Sequence, residues 1–451
     1  MQLLSAACTP TAHCSPNHRL RLQWDGFVKD MKSLVASSPR DFWYLNLMCC
    51  CAAFTYNTMA NVMTVFASAE YGFSDIEVGD IYGNWGLMSS LWAMLLGPLI
   101  DVLGVRKSAV VGFTIYAVAR FVICFINDRD IFKFTVVCIS PFAEGMAGLS
   151  SSLYGLGIKR YTTVKDRNFG YAVLYAIYNL GGALAGFAID LVSQYTWSPW
   201  GTPISGMRMA LLMGFFTNAV CWCCAFMLRP IKVEEEEEEK EGVKEDTAVK
   251  VELKADVVAE KSPLAILKKV SQDKNFWRFL ILMFLLVLVK TEWQHNAATL
   301  PNFLRREHGD RVPFASVASI NWMMCAVLPP IVQSILADVG HIDIITYGTY
   351  IMGIAPFIMV LSNTVGAACL WNVVYTLGEV LWSPRTNTLA AQIAPEGMEA
   401  TFFSMAAAPQ FMAKWPTGHF SGWLLDTYVP ECNRCMDNQG HFCSIQPSVR
   451  L

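Results

Sequence analysis

The feature that most constrains this chain is a series of long apolar segments that recurs along most of its length. A helix needs roughly 20 mostly apolar residues to cross the hydrocarbon layer of a bilayer, which is about 30 Å thick. The 451 residues are 54% hydrophobic and only 16% charged, which is more apolar than the core of a soluble protein requires. The excess apolar surface is expected to face lipid. The sequence therefore predicts an all-α, polytopic integral membrane protein.

Eleven segments meet this requirement, and we number the predicted spans 1 to 11 in chain order. The first six spans are residues 42–66, 78–102, 108–126, 134–156, 169–192 and 207–228. The other five are residues 279–297, 317–337, 344–361, 365–390 and 400–428. This division predicts two helical bundles, with the last helix of a six-plus-six arrangement missing.

Two tails and a linker complete the expected organisation. The predicted regions are a cytosolic tail 1–41, an N-terminal bundle 42–228, an acidic cytosolic linker 229–275, a C-terminal bundle 276–428 and a tail 429–451. Residues 234–239 of the linker are all glutamate, a composition that buries too little apolar surface to fold alone. The C-terminal tail holds Cys432, Cys435 and Cys443, which favour a free loop or a disulfide over a zinc site because no second ligand pair follows.

Basic residues in the short loops predict the orientation of the chain. Arg106 and Lys107 lie between spans 2 and 3, and Lys159 and Arg160 lie between spans 4 and 5. Short loops rich in lysine and arginine stay on the cytosolic side of a membrane. The amino terminus and the acidic linker are then cytosolic as well.

The junction of spans 2 and 3 carries the most informative motif, a segment with the sequence GPLIDVLGVRK. Glycine allows helix ends to approach closely, and an aspartate beside basic residues can cap a helix or form an ion pair. The motif resembles the signature of the major facilitator superfamily, and residues 336–340 form a fainter echo at the end of span 8. The resemblance implies two bundles related by a pseudo-two-fold axis. It also implies a gating role for the motif residues Gly97, Asp101, Gly104, Arg106 and Lys107.

Shorter stretches resemble the proton-dependent oligopeptide transporter branch of that superfamily. They are the YNLG sequence that contains Asn179, the residues around Asn321, and the TLGEVL sequence that contains Glu379. The resemblance implies that Glu379 helps to bind the amino group of a peptide. However, span 1 lacks the Glu-x-x-Glu-Arg motif of the branch, so proton coupling through that motif and peptide specificity do not follow from the resemblance.

Arg120 and Glu144 are predicted to lie near mid-depth in spans 3 and 4. A charge at the bilayer centre costs at least ~2.5 kcal/mol, so it normally meets a partner or a water-filled path. These two residues can form a buried ion pair that holds the two helices in register. Alternatively, they belong to the path of a substrate or proton.

Lys290, Glu292 and His295 interrupt the apolar sequence of span 7. Glu292 and His295 are three residues apart, so they share one face of a helix and can exchange a proton. The sequence is consistent with substrate or proton binding and also with polar residues near the outer mouth of a cavity.

The second bundle also places Glu379 and Lys414 at similar predicted depth. Glu379 is a candidate for substrate or proton binding, and Lys414 either joins that site or only neutralises Glu379. Asn179 and Asn321 can hydrogen-bond a substrate, although asparagine between helices more often serves packing. Gly182 and Gly186 are predicted to permit close helix contact.

The sequence thus favours a secondary active transporter that couples a small organic solute to protons and moves the solute by alternating access. A peptide or amino-acid-like solute is one expectation. The alternatives are a uniporter or exchanger of sugars, nucleosides or organic anions, and a receptor that does not transport. No cofactor, metal or nucleic acid is expected as a partner, and an enzyme is not expected because clustered His or Asp motifs are absent from the cytosolic helix ends. The sequence predicts neither the oligomeric state nor which membrane houses the chain.

Overall fold

The protein was examined as a computed structural model. It describes residues 28–29, 31–147, 152–163, 166–196, 198, 204–229, 271–272, 274–309, 311–336, 339–393 and 399–430. These residues fold almost entirely into helices. Each of the eleven predicted spans overlaps at least one of these helices. In the first half the helices are Arg40–Tyr71, Asp75–Phe125, Arg129–Phe134, Ser140–Met146, Ser152–Tyr161, Arg167–Ser193 and Gly206–Met227. In the second half they are Lys274–Ala298, Leu300–His308, Phe314–Ile335, His341–Ile354, Phe357–Leu361, Val365–Ile393, Glu399–Met412 and Lys414–Tyr428.

By length and composition, five of the described helices are long and apolar enough to cross a bilayer. They include Asp75–Phe125, Gly206–Met227 and the apolar part of Arg167–Ser193. Other spans are interrupted or carry polar residues, as expected where helices line a polar path. Most of the linker and residues 431–451 lie outside the described residues, so the missing final helix stays a prediction.

Spans 2 and 3 form one long helical element that is broken at Gly104. This residue has φ 76° and ψ 170°, a conformation that strongly favours glycine. The break falls inside the sequence motif and lets span 3 turn back beside span 2. The predicted division into residues 78–102 and 108–126 is therefore confirmed.

Span 4 contains a π-helical turn, Thr135–Ile139, directly before Pro141. Proline has no N–H to donate to the preceding turn, and π turns occur as single-turn interruptions inside α-helices. The residues beyond the turn, among them Glu144, are rotated about the helix axis relative to a regular helix.

The two bundles meet along two seams, in which span 2 packs against span 11 and span 5 packs against span 8. In the first seam a Cβ atom on Gly79 would overlap the backbone oxygen of Gly418, and one on Gly418 would overlap the oxygen of Gly79. In the second seam a Cβ on Gly186 would overlap Ser319 and Ala315. The prediction that glycines in span 5 serve close helix contact is confirmed at Gly186.

Candidate functional site

The motif residues lie at the turn between spans 2 and 3, at one end of the N-terminal bundle. Gly97 is buried, Asp101 and Arg106 are half-buried and Lys107 is exposed. A Cβ on Gly104 would lie 3.3 Å from Nη1 of Arg160, so the end of the helix Ser152–Tyr161, just after span 4, packs on the turn. The motif is thus separate from the buried charges in the middle of the bundles.

Glu144 accepts hydrogen bonds from three side chains inside the N-terminal bundle. The carboxylate is 2% exposed. Nε1 of Trp85 donates to Oε1 at 3.1 Å, and the Ser89 hydroxyl donates to Oε2 at 2.9 Å. The Tyr116 hydroxyl donates to Oε1 at 3.5 Å. Neutral donors therefore surround this buried carboxylate.

Arg120 is fully buried and reaches Glu144 through Tyr116 rather than directly. Its Nη2 atom donates to the Tyr116 hydroxyl at 2.9 Å and to the backbone oxygen of Thr55. Its Nε and Nη1 atoms have no hydrogen-bond partner among the described residues. The predicted direct ion pair is therefore wrong in detail, because Tyr116 bridges the two groups.

Lys414 extends from the C-terminal bundle into the N-terminal one. Its side chain is fully buried, and its Nζ atom lies 3.3 Å from the centre of the Trp85 ring. Among the acidic groups, Glu144 acts on it electrostatically. The expectation that Lys414 neutralises Glu379 is wrong, because span 11 packs against span 2 and carries Lys414 towards Glu144.

Glu379 and Lys290 form a second group of charges in the C-terminal bundle. Oε2 of Glu379 accepts a hydrogen bond of 2.6 Å from Nδ2 of Asn321, which also donates to Thr376 at 3.1 Å. Lys290 lies 5.1 Å from the centre of the Trp382 ring and interacts electrostatically with Glu379. The structure therefore brings Lys290, Asn321 and Glu379 together. The sequence analysis had identified these residues separately, in spans 7, 8 and 10, and did not predict that they meet.

The other two polar residues of span 7 do not form the expected pair. Nδ1 of His295 lies 2.6 Å from the Thr299 hydroxyl, which donates to Ser421 in span 11 at 2.8 Å. Oε1 of Glu292 is buried and has no hydrogen-bond partner within the described part of the chain. His295 is thus held by a hydroxyl chain to span 11 and not by Glu292.

Asn179 donates to the backbone oxygen of Tyr175, one turn earlier in the same helix, at 2.7 Å. This hydrogen bond engages the amide nitrogen of the Asn179 side chain within span 5. The arrangement favours the packing interpretation for Asn179, whereas Asn321 contacts the second group of charges.

A small cavity with a volume of about 10 Å³ lies between the two bundles. This volume holds about one water molecule. Residues from both bundles line the cavity, among them Tyr56, Asn61, Tyr82, Gln294, Asn321 and Trp322. Tyr82 contacts the Lys414 ammonium and Asn321 contacts Glu379, so the cavity connects the two groups. An organic solute would require the bundles to separate.

Polar contacts close the end of the bundles where spans 1 and 2 are joined, here called the outer face in line with the predicted orientation. Nη2 of Arg306 lies 2.6 Å from Oδ1 of Asp75, which joins span 2 to the helix that follows span 7. Asp190 at the end of span 5 accepts hydrogen bonds from the backbone N–H groups of Ala315 and Ser316, at 3.2 and 2.5 Å. These N–H groups belong to the first turn of span 8, where a helix favours negative charge.

Sequence reasoning did not find the aromatic residues that surround the charges. Trp85, Tyr116 and Trp322 are buried in the bundles and contact Glu144, Arg120 or the cavity. The position of Trp85 inside span 2, seven residues after its first residue, was the signal that could have identified it.

Comparison with known proteins completes this description. The sequence model of the Major Facilitator Superfamily matches residues 45–411. No curated protein sequence matches the chain. The fold is similar to a solved POT family transporter in complex with a thioalcohol-conjugated peptide, with TM-score 0.61 and 16% identity over 86% of this chain and 91% of that chain. It is also similar to a POT family transporter in complex with 5-aminolevulinic acid, with TM-score 0.60 and 15% identity over 86% and 91%. The nucleoside transporter NupG gives TM-score 0.58 and 13% identity over 87% and 93%.

Proposed function

Because the chain belongs to the major facilitator superfamily, we propose that it is a secondary active transporter that moves a small organic solute together with protons. The fold is that of integral, multi-pass membrane transporters. The observation that carries the proposal is that two residues lining one cavity, Tyr82 and Asn321, contact two separate groups of buried charges. Glu144, Arg120 and Lys414 form one group, and Lys290 and Glu379 form the other.

Charges of both signs at this depth favour a solute that is itself charged at two points, such as an amino acid or short peptide. A buried charge is costly unless a partner or water compensates it. The Nε and Nη1 atoms of Arg120 have no hydrogen-bond partner among the described residues, so this side chain is suited to a carboxylate. Glu379 is suited to an ammonium group or a proton.

Alternating access follows from the two-bundle arrangement. The cavity is closed and the outer face is joined by Asp75–Arg306, so a solute enters only when the bundles rock apart. Glu144, Glu292 and Glu379 are the carboxylates proposed to take up the coupled proton. Asn321 acts as a donor that positions Glu379.

An exchanger or uniporter of organic anions is the second candidate. The cationic atoms without hydrogen-bond partners, Nζ of Lys414 and Nε and Nη1 of Arg120, favour it. In that case the flux depends on the anion gradient and not on the proton gradient. A receptor that binds a solute without moving it remains a third candidate.

The test is uptake by purified protein in proteoliposomes, with and without a pH gradient that is alkaline inside. The labelled panel includes a dipeptide, an amino acid, a nucleoside, a sugar and a dicarboxylate. We expect the gradient to accelerate uptake of a zwitterionic solute, and Glu379→Gln to abolish the acceleration while exchange persists. Glu77→Gln is the matched control, because Glu77 is an exposed carboxylate at the start of span 2.

Three outcomes would change the proposal. Equal gradient-driven uptake by Glu379→Gln and the unaltered protein would remove the role of Glu379. Uptake of an organic anion at the same rate with and without the pH gradient would favour the second candidate, an exchanger or uniporter of organic anions. Binding without any flux across the panel would favour the receptor.

A further inference from the structure

Four aromatic rings surround the ammonium group of Lys414. The Nζ atom lies 3.3 Å from the ring centre of Trp85, 5.0 Å from that of Tyr56, 5.2 Å from that of Tyr82 and 5.6 Å from that of Phe411. A cation within about 6 Å of a ring centre is attracted by the electrons of the ring face. We call these four residues the aromatic box. Tyr56, Tyr82 and Trp85 belong to the N-terminal bundle, whereas Phe411 and Lys414 belong to the C-terminal one.

The rings of the aromatic box support one another. Trp85 contacts Tyr56 and Tyr82 with ring centres 5.7 and 5.9 Å apart. The Tyr82 hydroxyl donates to Oε1 of Gln294 at 2.6 Å, which fixes that ring from the opposite bundle. A cation site therefore exists before any solute arrives.

Glu144 reinforces the attraction of the box for a positive charge. The Trp85 indole donates to the Glu144 carboxylate, so the carboxylate lies at the edge of a ring whose face contacts the ammonium. Donation to a carboxylate raises the electron density of the indole and strengthens its attraction for a cation. The box combines aromatic faces with a nearby negative charge, as do many sites for organic ammonium groups.

The Lys414 ammonium itself has no hydrogen-bond partner among the described residues, although it has three N–H donors and is fully buried. Its aliphatic chain lies directly on Gly86, where any Cβ atom would overlap its Cβ and Cδ atoms. Gly86 thus clears the route by which Lys414 reaches the box from span 11. Aromatic contacts and Glu144 compensate the buried charge in place of hydrogen bonds.

We propose that the aromatic box is a binding site for the ammonium group of the solute, and that Lys414 occupies it as a tethered cation while the carrier is closed and empty. When the bundles rock apart, Lys414 leaves with its own bundle and the box is open to a solute. Tyr56 and Tyr82 also line the central cavity, which gives the solute access. The competition with a solute rests on the proposed transport function, whereas the presence of a cation site does not.

A direct test uses purified Lys414→Ala protein and n-propylammonium chloride, a small organic cation that matches the removed part of the side chain. At tens of millimolar we expect this salt to raise the Tm of Lys414→Ala by about 2 °C relative to sodium chloride. The unaltered protein should not respond, because Lys414 already fills the box. Lys414→Ala combined with Trp85→Leu should lose the response.

Neutral n-propanol separates charge recognition from the filling of a hole. An equal rise in Tm with n-propanol would show a merely apolar cavity and overturn the proposal. A response of the unaltered protein equal to that of Lys414→Ala would place the cation elsewhere and overturn it as well. If neither n-propylammonium nor n-propanol raises the Tm of Lys414→Ala, the cation site is overturned. Intact transport by the unaltered protein would then still support the proposed transport function.

Flux measurements provide a second test that does not depend on Lys414→Ala being stable. Lys414→Met keeps the length and apolar contacts of the side chain but removes the charge. An empty carrier without a tethered cation closes poorly, so net uptake should fall at least about tenfold while exchange with solute inside the vesicles is largely kept. Lys414→Arg should retain net uptake. Equal losses of net uptake and exchange in Lys414→Met, with the same losses in Lys414→Arg, would overturn the tethered-cation role.

Discussion

Asp75 and Arg306 join the two bundles at the outer face through a buried ion pair. The atoms Oδ1 of Asp75 and Nη2 of Arg306 are 2.6 Å apart, and the side chains are 2% and 12% exposed. Nη1 of Arg306 also donates to the backbone oxygen of Val429 at the end of span 11 at 2.6 Å. One arginine therefore connects three elements at the position where the cavity would open outward.

Asp75→Asn is expected to weaken the closed outer face by about 3 kcal/mol, because it removes the carboxylate that faces the buried Arg306 charge. The measurement is amide hydrogen exchange of residues 75–82 and 300–308, which should become faster. Glu77→Gln serves as the control. The Glu77–Arg129 pair lies at the same face but is 49% and 47% exposed, so its loss should change exchange in these segments little. Unchanged exchange in Asp75→Asn would contradict a gating role for the pair.

Tyr116→Phe is expected to impair transport by breaking the bridge between Arg120 and Glu144. Removal of the hydroxyl leaves the Nη2 atom of Arg120 with only the Thr55 oxygen, at a cost of about 1 to 3 kcal/mol. Tyr71→Phe is the matched control, because the Tyr71 hydroxyl donates to the backbone oxygen of Ile126 at 2.7 Å, away from the cavity. Both variants should lower Tm, but only Tyr116→Phe should lower solute uptake. Equal uptake by the two variants would argue against the bridge.

Gly418→Ala should separate spans 2 and 11, because the added Cβ overlaps backbone atoms of Gly79 and Gly83. Overpacking of this kind costs about 1 to 3 kcal/mol. Gly353→Ala makes the same change in span 9, where no atom lies within 4 Å of the new Cβ. Thermal unfolding of the two variants in detergent should show a lower Tm for Gly418→Ala alone. A similar Tm for both would mean that the seam adjusts without cost.

The ion pair of Asp41 and Arg229 predicts a dependence of stability on acidic pH. Burial raises the pKa of Asp41, but hydrogen bonds from the Arg229 side chain and backbone and the charge of Arg229 outweigh burial and hold the pKa below its usual value of 3.8. A carboxyl with a depressed pKa stabilises the fold above its unfolded pKa, and this stabilisation is lost as pH falls through the folded pKa. The lower Tm of Asp41→Asn relative to the unaltered protein should therefore be largest near neutral pH and shrink below about pH 4.

The pair itself is worth about 1 kcal/mol, because the Arg229 side chain is 71% exposed. Arg229→Gln should lower Tm as much as Asp41→Asn, and the double variant should be no worse than either. Additive losses in the double variant would show that the two residues act separately.

The helical architecture could be predicted from the sequence, since hydropathy alone located a helix in every predicted span. The turn between spans 2 and 3 was located by the motif GPLIDVLGVRK, whereas the positive φ of Gly104 within it was found only in the structure. The internal breaks could not be predicted in the same way. The π turn before Pro141 interrupts continuous apolar sequence without a change in hydropathy.

The site was less predictable than the fold. Individual buried charges were found because a charge inside an apolar span is conspicuous. The partners of these charges could not be predicted. Glu144 and Lys414, for example, are 270 positions apart and meet only through the packing of span 2 against span 11. Local spacing likewise favoured a pair of Glu292 and His295, but His295 bonds to Thr299 because the hydroxyl lies within reach one turn later.

The contact between Gly79 and Gly418 also bears on how the bundles move. At this point backbone touches backbone, so there are no interlocking side chains that must change rotamer when one helix rolls on the other. Such a contact behaves as a smooth pivot. If the bundles rock as proposed, the resistance to that motion is expected at the ends of the seam, in polar contacts such as Asp75–Arg306.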